Sequence, residues 1–237
     1  MFSRGIVLCL LAGSPCSFAQ AFPPKGVHWT VVFKGSYTTS ARFLYNVNEP
    51  DQFLNSNYFS SIFGFGGSVR ANFSEDFAVG ISTEKMKFSE QSLVQYVIGG
   101  NEVLAPVSEG FVVYPLEVSG YFFLPFSTEY VRVYLGGGVG AYFGERTYSV
   151  GTENMAAENS PSGFGIHVLT GLEYRLFPNV MLQGELKFRD PQFDSVNKFQ
   201  HASAIVNGAV IPLSTSPETT RVNVNGITYT LGVAYTL

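Results

Sequence analysis

The chain has few cysteines, histidines and charged residues, and each shortage argues against a class of function. Its two cysteines, Cys9 and Cys16, lie near the N-terminus, so a chain processed beyond them forms no disulfide, thiolate metal site or cysteine nucleophile. The three histidines, His28, His167 and His201, are far apart, which disfavours a metal centre. Charged residues make up 14% of the chain, against about 25% in a typical soluble domain. The net charge of −4 and the lack of basic clusters argue against a nucleic-acid partner.

Long apolar runs are also missing beyond the N-terminal segment. No stretch of eighteen apolar residues occurs there, which argues against membrane-spanning helices. The sequence is instead rich in Phe (22), Tyr (13) and Gly (25). This composition favours a sheet with one apolar face over the interior of a soluble enzyme.

The N-terminal segment has the pattern of a secretory signal peptide. Arg4 precedes an apolar stretch over 5–12, and small residues allow cleavage after Ala19 or Ala21. We therefore expect a signal peptide over 1–19 and a single mature domain over 22–237. A lipoprotein anchor on Cys16 is disfavoured, because the preceding residues lack the usual aliphatic side chain.

The C-terminal residues predict a strand with one apolar face. From Ile227 to Leu237 every second residue is bulky and apolar, and the residues between are small or polar. Since successive side chains of a strand point to opposite faces, this alternation predicts one apolar and one polar face. In a soluble sheet the apolar face packs on a core, whereas in an outer-membrane barrel it contacts lipid.

Similar alternation recurs about eight times along the chain. It predicts strands near 27–38, 60–73, 77–88, 111–124, 130–143, 163–176, 179–189 and 221–237. Three connections are short and rich in turn residues, near 74–76, 125–129 and 177–179. The other four, near 39–59, 89–110, 144–162 and 190–220, are long and polar, and we interpret them as loops. Strict alternation of short and long connections predicts an all-β fold, an eight-stranded antiparallel up-and-down transmembrane β-barrel.

This architecture resembles the small bacterial outer-membrane β-barrels of the OmpA, OmpX and OmpW type. The pattern of Thr230, Gly232, Tyr235 and Leu237 also resembles the signal by which the outer-membrane assembly machinery recognises barrels, although that family most often ends in Phe. The resemblance implies localisation in the bacterial outer membrane. It implies outer-membrane lipid, lipopolysaccharide, the assembly machinery and periplasmic chaperones as partners, and no cofactor.

The strand faces predict a polar lumen. On 130–143 the period of two places Val133 and Leu135 toward lipid and Arg132 inward. The same rule predicts an inward polar network of Arg70, Glu117, Arg132, Glu173, Arg175, Glu185 and Lys187, joined by Lys34, Glu84, His167, Gln183 and Arg189. Eight strands leave an interior just wide enough for side chains, so these charges either form a permanent polar core or gate a passage.

Catalytic motifs are weak. His201 and Ser203 form the one His-x-Ser pair, and the sequence shows no carboxylate placed to orient the imidazole. The glycines at 64–67 and 136–140 precede no helix and lack the Lys-Ser/Thr of a phosphate loop, so they indicate bends or close packing. We therefore expect no enzyme activity, no catalytic residues and no metal site.

Two functions remain open. One is a porin-like barrel for small or apolar solutes, and the other is a closed structural or adhesive barrel that acts through its extracellular loops. The segment 202–213 is apolar for a loop, and Asn207-Gly208 within it is a strong hairpin signal. Either the last two strands extend well above the membrane or the segment forms an extra hairpin, and the sequence does not decide between these alternatives. The sequence does not predict the oligomeric state.

Overall fold

A computed structural model describes residues 27–45, 56–128 and 130–237, so the expected signal peptide lies outside the described residues. The described part is all β, in two antiparallel sheets. None of its residues form a helix long and apolar enough to cross a membrane. The strands are β1 (His28–Tyr45), β2 (Ser56–Asn72), β3 (Phe77–Ile98), β4 (Asn101–Phe123), β5 (Val131–Val150), β6 (Glu153–Ala157), β7 (Ser162–Phe177), β8 (Val180–Arg189), β9 (Gln192–Phe199), β10 (Ser203–Val206), β11 (Ala209–Pro212), β12 (Glu218–Asn223) and β13 (Ile227–Thr236).

The larger sheet closes on itself. Strands β1, β2, β3, β4, β5, β7, β8 and β13 each pair with the next, and β13 pairs with β1. The stagger of the ring is found by starting at His28 and moving each time to the paired residue on the next strand. The path passes through Asn72, Ala78, Tyr121, Gly136, Leu169, Lys187 and Thr228 and reaches Thr38. The path returns to β1 ten residues beyond its start. Such a stagger tilts the strands by about 40° to the axis of the ring.

The interpretation of the long connections as loops is wrong for most of their length. Strands β3 and β4 continue the ladder through 89–110 to a turn at Gly99 and Gly100, and β5 runs on to Val150. The strands continue because a second apolar core covers their inner faces. Apolar residues on the outer face, such as Leu93, Val97 and Leu104, and polar residues on the inner face, such as Glu109 and Arg146, hide the alternation from sequence inspection. Residues 46–55 of the first of these connections lie outside the described residues.

Two of the predicted strands are longer and divided. The one expected over 179–189 continues, after Asp190 and Pro191, as β9, and the one expected over 221–237 is split into β12 and β13. Pro191 has no N–H group and cannot donate to a ladder, which accounts for the break before β9. The one-residue change in register against β1, between Val222↔Phe43 and Thr228↔Thr38, marks a bulge at the second break.

Of the two alternatives for the segment 202–213, the structure shows the separate hairpin. Strands β10 and β11 pair through a two-residue turn at Asn207 and Gly208, both with positive φ, as the Asn-Gly signal predicts. One face of the hairpin, formed by Ala204, Val206 and Ile211, is buried. It packs in a cluster with Val107, Val150, Met155 and Phe199 and so covers one end of the ring.

Candidate functional site

The interior of the ring is filled in layers. Starting at the end with the short turns, the interior contains a small apolar cluster that includes Ala78 and Phe123, then a charge network, a larger apolar layer, an outer chamber and the β10–β11 hairpin. Four buried carboxylates and four buried cations make up the charge network: Glu84, Glu117, Glu173, Glu185, Arg70, Arg132, Lys187 and Arg189. Equal numbers of each sign among these buried residues allow them to pair inside a narrow ring, and the half-buried Lys34 also interacts with Glu84, Glu117 and Glu185.

Glu117 is the centre of one part of the network. Its carboxylate lies 2.6 Å from Lys187 Nζ and 3.3 Å from Arg189 Nη1, and it accepts a hydrogen bond of 2.8 Å from the Tyr142 hydroxyl. Arg189 also pairs with Glu84, which accepts a hydrogen bond from Ser36. Strands from opposite parts of the ring are thereby joined through one carboxylate.

Glu173 is the centre of the other part. One of its oxygens lies 2.5 Å from Arg70 Nη2, and the other lies 3.8 Å from Arg132 Nη1. The Arg132 guanidinium lies 3.5 Å from the centroid of the Phe123 ring, and Arg70 lies 5.3 Å from that of Tyr121. Ring faces attract cations, so the aromatic side chains support both arginines.

A glycine makes room for the Glu117 group. A Cβ added at Gly140 would lie 2.9 Å from Glu117 Cγ, so that side chain would have to shift, and 3.1 Å from a ring carbon of Tyr142, which is a tight contact. The glycines at 64–67 and 136–140 lie within β2 and β5 and belong to the wall of the ring, not to a phosphate loop.

The structure brings most of the predicted network residues together. Glu185 lies 3.7 Å from Lys187 and accepts a hydrogen bond from Tyr134, whereas Lys34 and Arg175 are only half-buried. Sequence reasoning missed Tyr134 and Tyr142 as members of the network. The parity that places Arg132 inward also places these two tyrosines inward, so the signal was present.

The histidines form pairs that the sequence did not reveal. His167 Nε2 lies 2.7 Å from Ser119 Oγ, but both side chains are buried, and no described residue forms a hydrogen bond with His167 Nδ1 to orient the ring. The expectation that no carboxylate orients His201 is wrong, because Glu153 Oε2 lies 2.9 Å from His201 Nδ1. No hydrogen bond joins His201 to Ser203 within the described part of the chain, so neither pair forms a catalytic triad there.

In the part of the chain that the structure describes, the acidic and histidine side chains are spread too widely to suggest a metal site. Over 27–45, 56–128 and 130–237, no group of three or more His, Cys, Asp or Glu side chains is placed to hold a metal ion.

An apolar layer separates the charge network from the outer chamber. Phe43 packs 4.6 Å from Phe59 and 5.7 Å from Phe111, measured between ring centroids, and Phe193 is buried in the same cluster. Tyr142 belongs to this cluster while its hydroxyl reaches Glu117, so the two layers are in direct contact. Four buried phenylalanines across a narrow ring leave little space for water.

The outer chamber is a cavity of about 450 Å³ on the far side of the apolar layer. Its lining includes Tyr45, Tyr96, Glu109, Arg146, Tyr148, Leu213 and Glu218. Arg146 donates from Nε and Nη2 to Glu109, at 3.0 and 2.7 Å, and its guanidinium lies over the rings of Tyr45 and Tyr148 at 5.3 and 5.0 Å. All of these lining residues fall outside the strands predicted from the sequence, so they were not predicted as a site.

Burial keeps the chamber phenols neutral. Burial, followed by the charge of Glu109, raises the pKa of Tyr45, whose hydroxyl donates a 2.7 Å hydrogen bond to Glu109. Burial also raises the pKa of Tyr148. Both hydroxyls therefore remain hydrogen-bond donors at neutral and mildly alkaline pH.

The residues of the expected assembly signal lie on β13 and just after it. Thr230 and Gly232 are buried on the inner face, whereas Tyr235 and Leu237 are exposed on the outside. The Leu237 N–H donates a 2.8 Å hydrogen bond to the Trp29 carbonyl, so the backbone after β13 is paired with the start of β1.

Comparison with known proteins identifies the fold. No protein-family model and no curated protein matches the chain. Among solved structures, the outer membrane protein OprG from Pseudomonas aeruginosa aligns with a TM-score of 0.56 and 12% identity, covering 90% of this chain and 97% of that one. A major outer membrane protein from Thermus thermophilus aligns with a TM-score of 0.49 and 15% identity, covering 90% and 100%. The attachment invasion locus protein Ail of Yersinia pestis aligns with a TM-score of 0.47 and 14% identity, again covering 90% and 100%.

The likeness to OprG carries the conclusion, because its TM-score is above 0.5 and it spans nearly all of both chains. At 12% identity it concerns the fold and not the activity. The chain has the fold of the small bacterial outer-membrane β-barrel proteins.

Proposed function

We propose that this protein is an eight-stranded transmembrane β-barrel of the bacterial outer membrane whose lumen is closed and whose function lies at its extracellular end. The closed cycle of paired strands supports the barrel, since a ring with no free edge satisfies its backbone groups internally. The breaks between β8 and β9 and between β12 and β13 raise the number of separate strands, but each of these two pairs follows one continuous path along the wall of the ring.

The outside of the ring supports a membrane position. Exposed aromatic residues form one band at the short turns, with Trp29, Phe73, Phe77, Phe122 and Tyr235, and another higher up, with Phe63, Tyr114, Phe143, Phe164 and Tyr229. Aliphatic side chains such as Val118 and Val139 lie between the bands. From Phe122 to Tyr114 the strand rises about 26 Å along its length, or about 20 Å along the axis after tilt, close to the apolar height of such barrels.

This arrangement gives the chain a direction in the membrane. The short turns between β2 and β3, β4 and β5, and β7 and β8 lie at one end, and the long strand extensions lie at the other. Barrels of this class have short periplasmic turns and long extracellular connections. The outer chamber and the β10–β11 hairpin therefore face the outside of the cell.

The observation that favours a closed lumen is the direct contact between the charge network and the layer of Phe43, Phe59, Phe111 and Phe193. An ion crossing the barrel must break buried ion pairs and then enter an apolar layer. Both steps are unfavourable in a low-dielectric interior.

A porin-like passage for small or apolar solutes is the second candidate. It is favoured by buried polar atoms without a hydrogen-bond partner in the described residues, including Glu173 Oε2, Gln183 Oε1 and Glu185 Oε1. Such atoms are usually satisfied by water, and a line of water molecules in the network offers the beginning of a path.

Planar-bilayer recording separates the two candidates. For the closed barrel we expect the refolded protein to add no steady conductance to the bilayer. Slower gel migration after boiling and a β-type far-ultraviolet dichroism spectrum serve as controls for correct folding. Steady channels whose conductance changes in Arg132→Gln would favour the passage, and a helical spectrum would contradict the barrel itself.

Insertion tests the proposed assembly signal. Replacing Tyr235 and Leu237 together by Asp is expected to abolish surface display and leave periplasmic protein for degradation, because both side chains are exposed beside the closing strand pair. The paired control is Leu237→Phe, which is expected to insert normally. Cell fractionation and surface proteolysis measure both, and normal display of the double Asp variant contradicts the role.

A further inference from the structure

Arg146 offers a hydrogen-bond donor to the outer chamber. Its side chain is 3% exposed, and its Nη1 donates no hydrogen bond within the described residues. The nearest carboxylate on that side, Glu218 Oε2, lies 3.9 Å from Nη1, beyond hydrogen-bond distance. The Glu218 side chain is 47% exposed, so it has room to shift and admit a ligand oxygen between the two groups. The site is thus built to receive an acceptor.

The charges of the chamber select among acceptors. Arg146 supplies one positive charge, and Glu109 and Glu218 supply two negative charges, so the lining is negative by one unit. A sulfated or carboxylated ligand would meet net repulsion and would compete with Glu109 for Arg146. A simple cation would leave the Arg146 donor unsatisfied. A neutral ligand that both donates and accepts hydrogen bonds fits all three side chains.

The remaining lining suits a ring with one apolar face. Tyr45, Tyr96 and Tyr148 supply amphipathic rings, with Leu213 beside them. The volume of about 450 Å³ lies in the lower part of the range for small-ligand pockets. Sugars combine this size with apolar ring faces and hydroxyl groups that pair with Arg and Glu side chains.

We propose that the outer chamber binds a neutral sugar residue of a glycan through Arg146, Glu109, Glu218 and the tyrosine rings. The proposal rests on the proposed topology, which places the chamber outside the cell. Two sources share this chemistry: neutral sugars of lipopolysaccharide in the same membrane, and neutral glycans of another cell.

The test is a glycan array probed with the folded, detergent-solubilised protein. The array carries neutral O-antigen oligosaccharides, neutral animal-type glycans, and sulfated and sialylated glycans. We expect signal on neutral glycans, and the group that binds identifies the source. Tyr96→Ala is expected to weaken binding on the order of tenfold, the effect of losing one aromatic anchor. Glu218→Gln, at the rim, removes the net negative charge and is expected to raise binding to the acidic glycans relative to the neutral ones.

The matched control is Gln95→Ala. Gln95 precedes Tyr96 on β3 but is exposed on the outer face and does not line the chamber. Binding in this variant is expected to equal that of the unaltered protein. A folded protein that ignores neutral glycans, prefers sulfated or sialylated ones, or loses binding equally in Gln95→Ala overturns the proposal. Heat-dependent gel migration reports the folded barrel, and surface proteolysis of intact cells reports which end faces outward, so failure of the topology and failure of the sugar site are distinguishable.

Discussion

Replacing Glu117 by Gln is expected to lower the free energy of unfolding by about 3–5 kcal/mol, the usual loss when one partner of a buried ion pair is removed. Glu117 is 1% exposed and contacts both Lys187 and Arg189. Glutamine keeps the shape but removes the charge, so among the described residues Lys187 keeps only Glu185, at 3.7 Å, and Arg189 keeps only Glu84 as a carboxylate partner. Urea titration of the protein folded in lipid vesicles, followed by gel migration without boiling, measures the change.

The control for this variant is Glu102→Gln. Glu102 lies on the same strand, β4, but is exposed near the turn at Gly99 and Gly100. The same chemical change there is expected to alter stability by less than about 0.5 kcal/mol. Equal effects at the two positions would contradict the central place of Glu117 in the network.

Leu135→Arg is expected to destabilise the folded barrel by about 1–3 kcal/mol, because Leu135 pairs with Phe122 of the lower aromatic band, where a cation on the lipid side costs less than at the midplane. Leu135 is 49% exposed, on the outer face of β5. Folding titrations into vesicles of a defined phospholipid report the difference directly. The inward variant Arg132→Gln is expected to cost less, because Arg70 still pairs with Glu173.

Leu104→Arg provides the matched substitution outside the membrane. Leu104 is 53% exposed on the extension of β4, beyond the upper aromatic band. The same change in water is expected to be almost neutral. A harmless Leu135→Arg combined with a damaging Leu104→Arg would mean that the apolar belt is not in lipid.

The inner and outer faces of the ring strands could be predicted from the sequence, because with a period of two the face of every residue in a strand is fixed once one residue is assigned. That rule places Arg132 and Glu117 inward, and both are buried. Which charges meet could not be predicted. Glu117 contacts Lys187 only because the register around the ring is staggered by ten residues, and stagger depends on every turn and bulge together.

The outer end was missed for a different reason. Sequence inspection assigned Glu109, Arg146 and Glu218 to loops, whereas they lie on β4, β5 and β12. Their strands mix apolar and polar residues on both faces, and a hairpin from a distant part of the chain packs against them inside the ring. The sequence shows no clear alternation in such strands, and the Asn207-Gly208 signal indicated a hairpin as one of two alternatives, without its docking position.

The pairing of β13 with β1 joins residues about two hundred positions apart, for instance Thr38 and Thr228, whose hydroxyls lie 2.8 Å apart. In the other pairings of the cycle the two strands are much closer together in the sequence, so much shorter stretches of chain have to close for those contacts to form. We therefore expect closure at this seam to come last and to limit the folding rate. Until it forms, the nascent sheet has two unpaired edges, and we expect aggregation, and any dependence on periplasmic chaperones, to be greatest in this interval.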